Sequence, residues 1–222
     1  MKNFIKSKMR MPIDLAMLIL MPFLMSYSLV GETAHEWIGI AITVLFIVHQ
    51  ILNFGWWKNI FKGKMSAVRI LITSVNFLLL ADIILLAYSG INLSEHIFSA
   101  LPEIGSSSFS RVLHLTCAHW GIVLTSLHLG FHGRIIGRHL KHVKMKNTLL
   151  AIGGLIGIYG IYAFVGRRIY SYLFPTAAFI FFDGGTSLVR SLADYGAMIV
   201  TFAYIGYFAI KIATNKSKTE KE

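Results

Sequence analysis

Apolar residues fall along this chain in long unbroken blocks, and short polar or charged clusters separate them. The first block runs from Ile13 to Val30, interrupted mainly by Asp14 and Pro22. After the turn GETAHE a second covers about Thr33 to Phe54, and a third opens at Arg69 and reaches about Ser89. The fourth is Arg111 to His132, the fifth about Thr148 to Val165, and the sixth about Tyr195 to Ile212. A helix needs roughly 20 mainly apolar residues to cross a bilayer, so the pattern predicts an all-α, polytopic bundle of six transmembrane helices. The stretch Arg167 to Asp194 is irregular and aromatic. Its longest apolar run, Tyr172 to Phe182, is too short to span and reads as an interfacial or re-entrant piece.

Composition agrees with this reading. Of the 222 residues, 55% are hydrophobic and only 14% charged, whereas a soluble domain carries about a quarter charged residues. A net charge of +11 would raise nucleic acid as a partner for a soluble protein, but here the basic residues follow the topology. Four lie before the first block, four around the loop Gly55 to Arg69, five between Gly133 and Asn147, and four from Lys211 onward. The opposite side receives only Arg111, Arg167, Arg168 and Arg190. Lys and Arg accumulate on the cytoplasmic side, so both termini are expected in the cytoplasm. The basic start and first block resemble a signal peptide, but no small-x-small cleavage site follows and the block reads as a retained helix. Cys117 is the single cysteine. That excludes an internal disulfide, a thiolate metal cluster and covalent haem attachment within the chain.

Candidate chemistry lies in the histidines. Ionisable side chains within membrane spans are costly and mark function. His35 and His49 lie fourteen residues apart in the second block, and His114 and His128 repeat that interval in the fourth. On an α-helix fourteen residues return to within about 40° of the same face, about 21 Å further along. The two blocks run in the same direction, because one helix separates them. His35 is thus expected to face His114 near the outer surface, and His49 to face His128 near the cytoplasmic one. Two imidazoles on opposite helices suit the two axial positions of a low-spin haem iron, so the pattern predicts two stacked, bis-histidine b-type haems. Gly39 and Gly121 are candidates to leave room for the macrocycles. Zinc is disfavoured, because no carboxylate or cysteine joins either pair and closed zinc sites use four ligands.

The other polar residues carry weaker signals. His119 points about 140° away from His114 and reads as a packing residue, and His132 as a solvated helix end. His96, His139 and His142 lie in loops and receive no role. Asp82, with Asn76 in the same block, reads either as a proton route or as a hydrogen bond between helices. Arg111 and Arg69 stand at depths suited to haem propionates, which arginine binds well, although topology alone accounts for Arg69.

The segments MPIDLAMLILMPFLMSYSLVGETAHEWIGI, VLFIVHQILN, KNIFKGK, SGINLS and RVLHLTCAHWGIVLTSLHLGFH resemble the flavinylation-associated cytochromes, small bacterial membrane proteins related in layout to cytochrome b. The similarity covers roughly residues 10 to 132. It implies a cytochrome-b-like four-helix core in residues 1–132. A basic cytoplasmic loop (133–147), two further helices with an outer aromatic segment (148–212) and a cytoplasmic tail (213–222) complete the layout. It also implies His35, His49, His114 and His128 as haem ligands, the bacterial inner membrane as location, and an extracytosolic partner bearing covalent FMN. The expected function is transmembrane electron transfer between a quinone pool or cytoplasmic donor and that partner, through the two stacked haems. The alternatives are a stand-alone reductase of ferric iron or another outer substrate, and a metal or solute transporter lined by histidines. No GxGxxG follows a strand, which weakens the first. Two histidine layers near the faces, in place of a midplane site, weaken the second.

Overall fold

The computed structural model describes residues 2–102, 104–133, 146–174 and 185–219. Among these every regular element is a helix. In chain order they are α1 (Lys2–Met25), α2 (Tyr27–Val30), α3 (Glu32–Leu52), α4 (Phe54–Asn59), α5 (Ala67–Asn92), α6 (Ser107–Phe131), α7 (Lys146–Gly166), α8 (Ile169–Tyr172) and α9 (Leu188–Thr219). Most of the basic loop, together with His139 and His142, lies outside the described residues, as does the aromatic run from 175 to 184.

Five of these helices, α3, α5, α6, α7 and α9, are long and apolar enough to cross a membrane. The chain is a multi-pass membrane protein. Its outer faces fit that conclusion: Trp37, Val44, Ile47 and Ile51 of α3 are exposed, as are Leu155, Ile158 and Ile161 of α7. Lipid, unlike water, accepts such faces without penalty.

The first expected span is divided. Pro22 sits within α1, and at Ser26 the ladder changes register. The Ser26 amide bonds Phe23 O at 3.0 Å, while the Ser26 hydroxyl donates to Pro22 O at 2.8 Å. A side chain thereby takes the acceptor that an α-helical amide would have used, and the chain turns into α2. The sixth span differs in the other direction. α9 begins at Leu188, ahead of the expected Tyr195, because Ser187 accepts from the Arg190 amide and Asp194 is neutralised within the bundle. The Asp194 carboxylate accepts from Arg167 Nε at 2.8 Å and from the Tyr159 hydroxyl. An acid so paired can continue a buried helix.

Packing proceeds in pairs. α1 lies along α3, α5 along α6, and α9 covers both α6 and α7. The contacts of α9 are close because of small residues. A Cβ on Gly130 would overlap the Ala203 carbonyl, and Thr201 Oγ1 donates to Gly157 O at 2.7 Å. Membrane helices associate largely by such close packing. Ile122, Val123, Ala163, Tyr195, Met198 and Ile199 form the main core, and Val75, Leu124, Phe131 and Ile210 form a second one. α3 is the least buried of the five spans: Leu52 is its one buried residue. Its tie to α6 runs through side chains.

Candidate functional site

The strongest of those ties is a pair of imidazoles. His35, in the first turns of α3, and His114, in the N-terminal half of α6, have ring centroids 6.1 Å apart at an interplanar angle of 67°. A metal–imidazole bond is about 2 Å, so an ion held between two ring nitrogens would separate their centroids by roughly 6 Å. Donor type and spacing in this pair suit two-imidazole ligation. The edge of the His35 ring also meets Tyr27 at 5.1 Å and 89°.

Hydrogen bonds set the tautomers. His114 Nδ1 lies 3.0 Å from Ser89 Oγ, and that hydroxyl donates its own proton to Leu85 O at 2.8 Å. Ser89 must therefore accept, His114 carries its proton on Nδ1, and Nε2 keeps the lone pair that a metal needs. His35 differs. Its Nδ1 is buried without a hydrogen bond, and the Leu24 carbonyl at the end of α1 faces it from nearby.

The second layer is built by the same rule. His128 donates from Nδ1 to Asn76 Oδ1 at 2.7 Å. His49 donates from Nδ1 to the Asp14 carboxylate at 2.6 Å, and Asn53 caps the end of α3 by donating to His49 O at 2.9 Å. With the proton on Nδ1 each Nε2 keeps its lone pair, and the Asn53 side-chain amide lies 3.4 Å from that of His49. His49 and Asp14 are electrostatic neighbours of His128, but the His49 and His128 rings are not in contact. The ring that meets His128 is the exposed His132 at the end of α6, centroid to centroid 4.7 Å. The structure thus brings His35 directly to His114 and gathers His49, Asp14, Asn76, His128 and His132 at the opposite end. Among the described residues no three His, Cys, Asp or Glu side chains converge as a metal cage.

Other candidates resolve differently. His119 is buried, donates from Nδ1 to Leu115 O at 2.7 Å and stacks on Tyr172 at 4.4 Å and 8°. With the Trp120 indole donating to Leu173 O at 2.8 Å, it seats α8 on α6, a packing role. Arg69 serves the loop between α4 and α5: its guanidinium donates to the carbonyls of Asn59, Ile60 and Lys62, so it is committed away from any haem propionate. Arg111 is exposed near the start of α6, within electrostatic range of Tyr27, whose ring meets His35. Gly39 faces open space, but Gly121 does not. A Cβ there would come within 2.9 Å of Asp82 Oδ2, so Gly121 makes room for a side chain of α5, not for a macrocycle. His96 lies in the loop, 3.7 Å from Glu32.

One residue carried no sequence signal. Glu36 accepts from Ser94 Oγ (2.7 Å) and the amides of Glu95 (2.8 Å), His96 (3.2 Å) and Ile97 (2.9 Å). Successive amides turned on one carboxylate form an anion nest. It fixes the start of α3, and with it His35, against the loop that leads into α6. Comparison with protein families, with characterised proteins and with solved structures finds no match to this chain.

Proposed function

We propose that this protein carries electrons across the membrane through two b-type haems, one ligated by His35 and His114 and the other by His49 and His128. The observation that carries the proposal is the facing of His35 and His114 across two helices whose backbones barely touch. A haem supplies reversible one-electron chemistry, and the protein sets its ligation, burial and hydrogen bonding. This chain does so with identifiable parts. Ser89 and Asn76 hold His114 and His128 in the tautomer that leaves Nε2 its lone pair, Asp14 does the same for His49, and Arg111 offers a guanidinium within electrostatic range of Tyr27, whose ring meets His35. A carboxylate on Nδ1–H raises the basicity of a ligating imidazole, so the inner layer gives its ligand more electron density than the outer one.

The electrons would move between a quinone pool or cytoplasmic donor and an extracytosolic partner. Both termini are cytoplasmic in this reading, by the distribution of basic residues, and the membrane is the bacterial inner membrane. A flavoprotein bearing covalent FMN is the partner implied by the resemblance described above.

The test is purification from haem-replete cells. The reduced-minus-oxidised absorption spectrum should be that of a b-type cytochrome, with about two haems per chain. His35→Ala and His114→Ala should each remove one haem and leave the other. A colourless preparation, or the same haem content in all four histidine variants, overturns the reading.

A further inference from the structure

Between the two histidine layers lies a carboxyl group that the electron-carrier reading does not use. Asp82 stands on α5 between Asn76, which holds His128, and Ser89, which holds His114. Opposite it on α6 is Gly121, seven residues from each of His114 and His128, which is about 10 Å along the helix in either direction. Asp82 is only 6% exposed, and its Oδ2 has no hydrogen-bond partner among the described residues. From α6 the one ionisable group facing it is the Cys117 thiol. α9 meets α5 elsewhere, through Ile210 packed against Val75, and presents no charged group to the carboxyl. Among the described residues no arginine, lysine or histidine neutralises it. The space is nevertheless kept: any side chain larger than glycine at position 121 would press on Oδ2.

A carboxylate without a counter-charge is very costly in hydrocarbon, whereas the neutral acid is not. A carboxyl so placed responds to charge that appears nearby, because low dielectric lets an added electron be felt over several ångströms. We propose that Asp82 is a proton-binding site within the membrane, which takes up one proton as an electron enters the bundle and releases it as the electron leaves. The electron comes from the reduced donor, a quinol or a reduced flavin, and the proton from the aqueous phase. The proton binds the carboxylate as the acid, so one positive charge accompanies each negative charge that is moved, and both depart on reoxidation. The redox part of this proposal rests on the haem reading, but the proton-binding part does not.

The experiment uses the full-length protein in lipid nanodiscs, in two measurements. Infrared spectra of the reduced wild type should contain a protonated-carboxyl band that Asp82→Asn removes. Cys117→Ser, which replaces the facing thiol with a stronger donor, should shift that band, and it keeps the test open if the Asn variant fails to fold. Redox titration followed in the visible spectrum should give a midpoint potential that falls as pH rises in the wild type and in Asp82→Glu, and a loss of that dependence in Asp82→Asn. If neither variant changes the band, Asp82 binds no proton and the proposal is overturned. If haem is present but the pH dependence survives in Asp82→Asn, the coupling is overturned while the electron-carrier reading stands. A colourless protein that still shows the Asp82 band refutes the haem reading and retains the proton site.

Discussion

Replacing Glu36 with alanine is predicted to loosen the end of the bundle that holds His35 by an amount the hydrogen bonds define. Four donors converge on this carboxylate, from Ser94 Oγ and the amides of Glu95, His96 and Ile97. A hydrogen bond to a charged acceptor contributes about 1.5–3 kcal/mol when sheltered. The bonds from Glu95 and His96 are exposed and those from Ser94 and Ile97 part-buried, so water replaces the first two at little loss. Two sheltered bonds at the low end give about 3 kcal/mol. For a chain of this length each kcal/mol moves the melting temperature by about 2–4 °C, and Glu36→Ala should lower it by about 9 °C. Glu36→Gln keeps one oxygen in the nest and should lose about half as much. Tryptophan fluorescence during heating in detergent reads the first effect, and limited proteolysis between residues 93 and 106 reads the local one. Glu95→Ala, which removes a side chain but keeps the amide, is the control. If Glu36→Ala melts within 2 °C of the wild type (on the order of 0.5–1 kcal/mol), with the loop equally resistant, the nest does not hold α3 and the argument fails.

Two further predictions follow from the packing and from the tautomers. Gly130→Val should push α6 from α9, because the new Cβ meets the Ala203 carbonyl and backbone cannot rotate away. A destabilisation of about 3 kcal/mol or more should appear as poor recovery in size-exclusion chromatography, while Gly39→Ala, which faces open space, should be recovered like the wild type. Asn76→Leu and Ser89→Ala each remove the acceptor of an imidazole Nδ1–H. Such a change lowers affinity at the metal by about 10–100-fold, so the first should deplete haem at the His128 end and the second at the His114 end. Equal retention in both variants would contradict the assigned tautomers.

The six-block pattern was enough to predict an all-helical membrane bundle, because segment length and apolarity are set by the bilayer itself. It misplaced element ends where a side chain decides them. Ser26 ends α1 by taking the Pro22 carbonyl, a contact that hydropathy does not weigh. The acid at 194 suggested a loop, yet Arg167, twenty-seven residues away, pairs with it and lets α9 continue. Among the site residues, His35 and His114 were legible from spacing and helix count alone. Glu36 was not, because its partners lie 58 to 61 residues away and an acid near the start of a helix is ordinary. Gly121 was misread for a similar reason. A missing side chain signals close approach, but only coordinates tell which group approaches.

The two helix pairs share one division of labour. In each, one helix carries the histidines and its neighbour supplies the groups that orient them. α6 bears His114 and His128, and α5 answers with Ser89 and Asn76. α3 bears His35 and His49, and α1 answers His49 with Asp14. In hydrocarbon no water satisfies a ring N–H, so a histidine helix needs such a partner. A proton held on Nδ1 also leaves Nε2 turned out of the pair, and the helix that orients the ring thus makes it a competent ligand. Of these four rings His35 is not held in this way, since its Nδ1 has no hydrogen-bond partner among the described residues. It lies on the span with the fewest buried residues and at the end where the Glu36 nest ties α3 to the loop before α6. The ring least fixed by its neighbour is therefore set by a tether one residue away, and the geometry of the His35–His114 pair depends on that loop more than on helix packing.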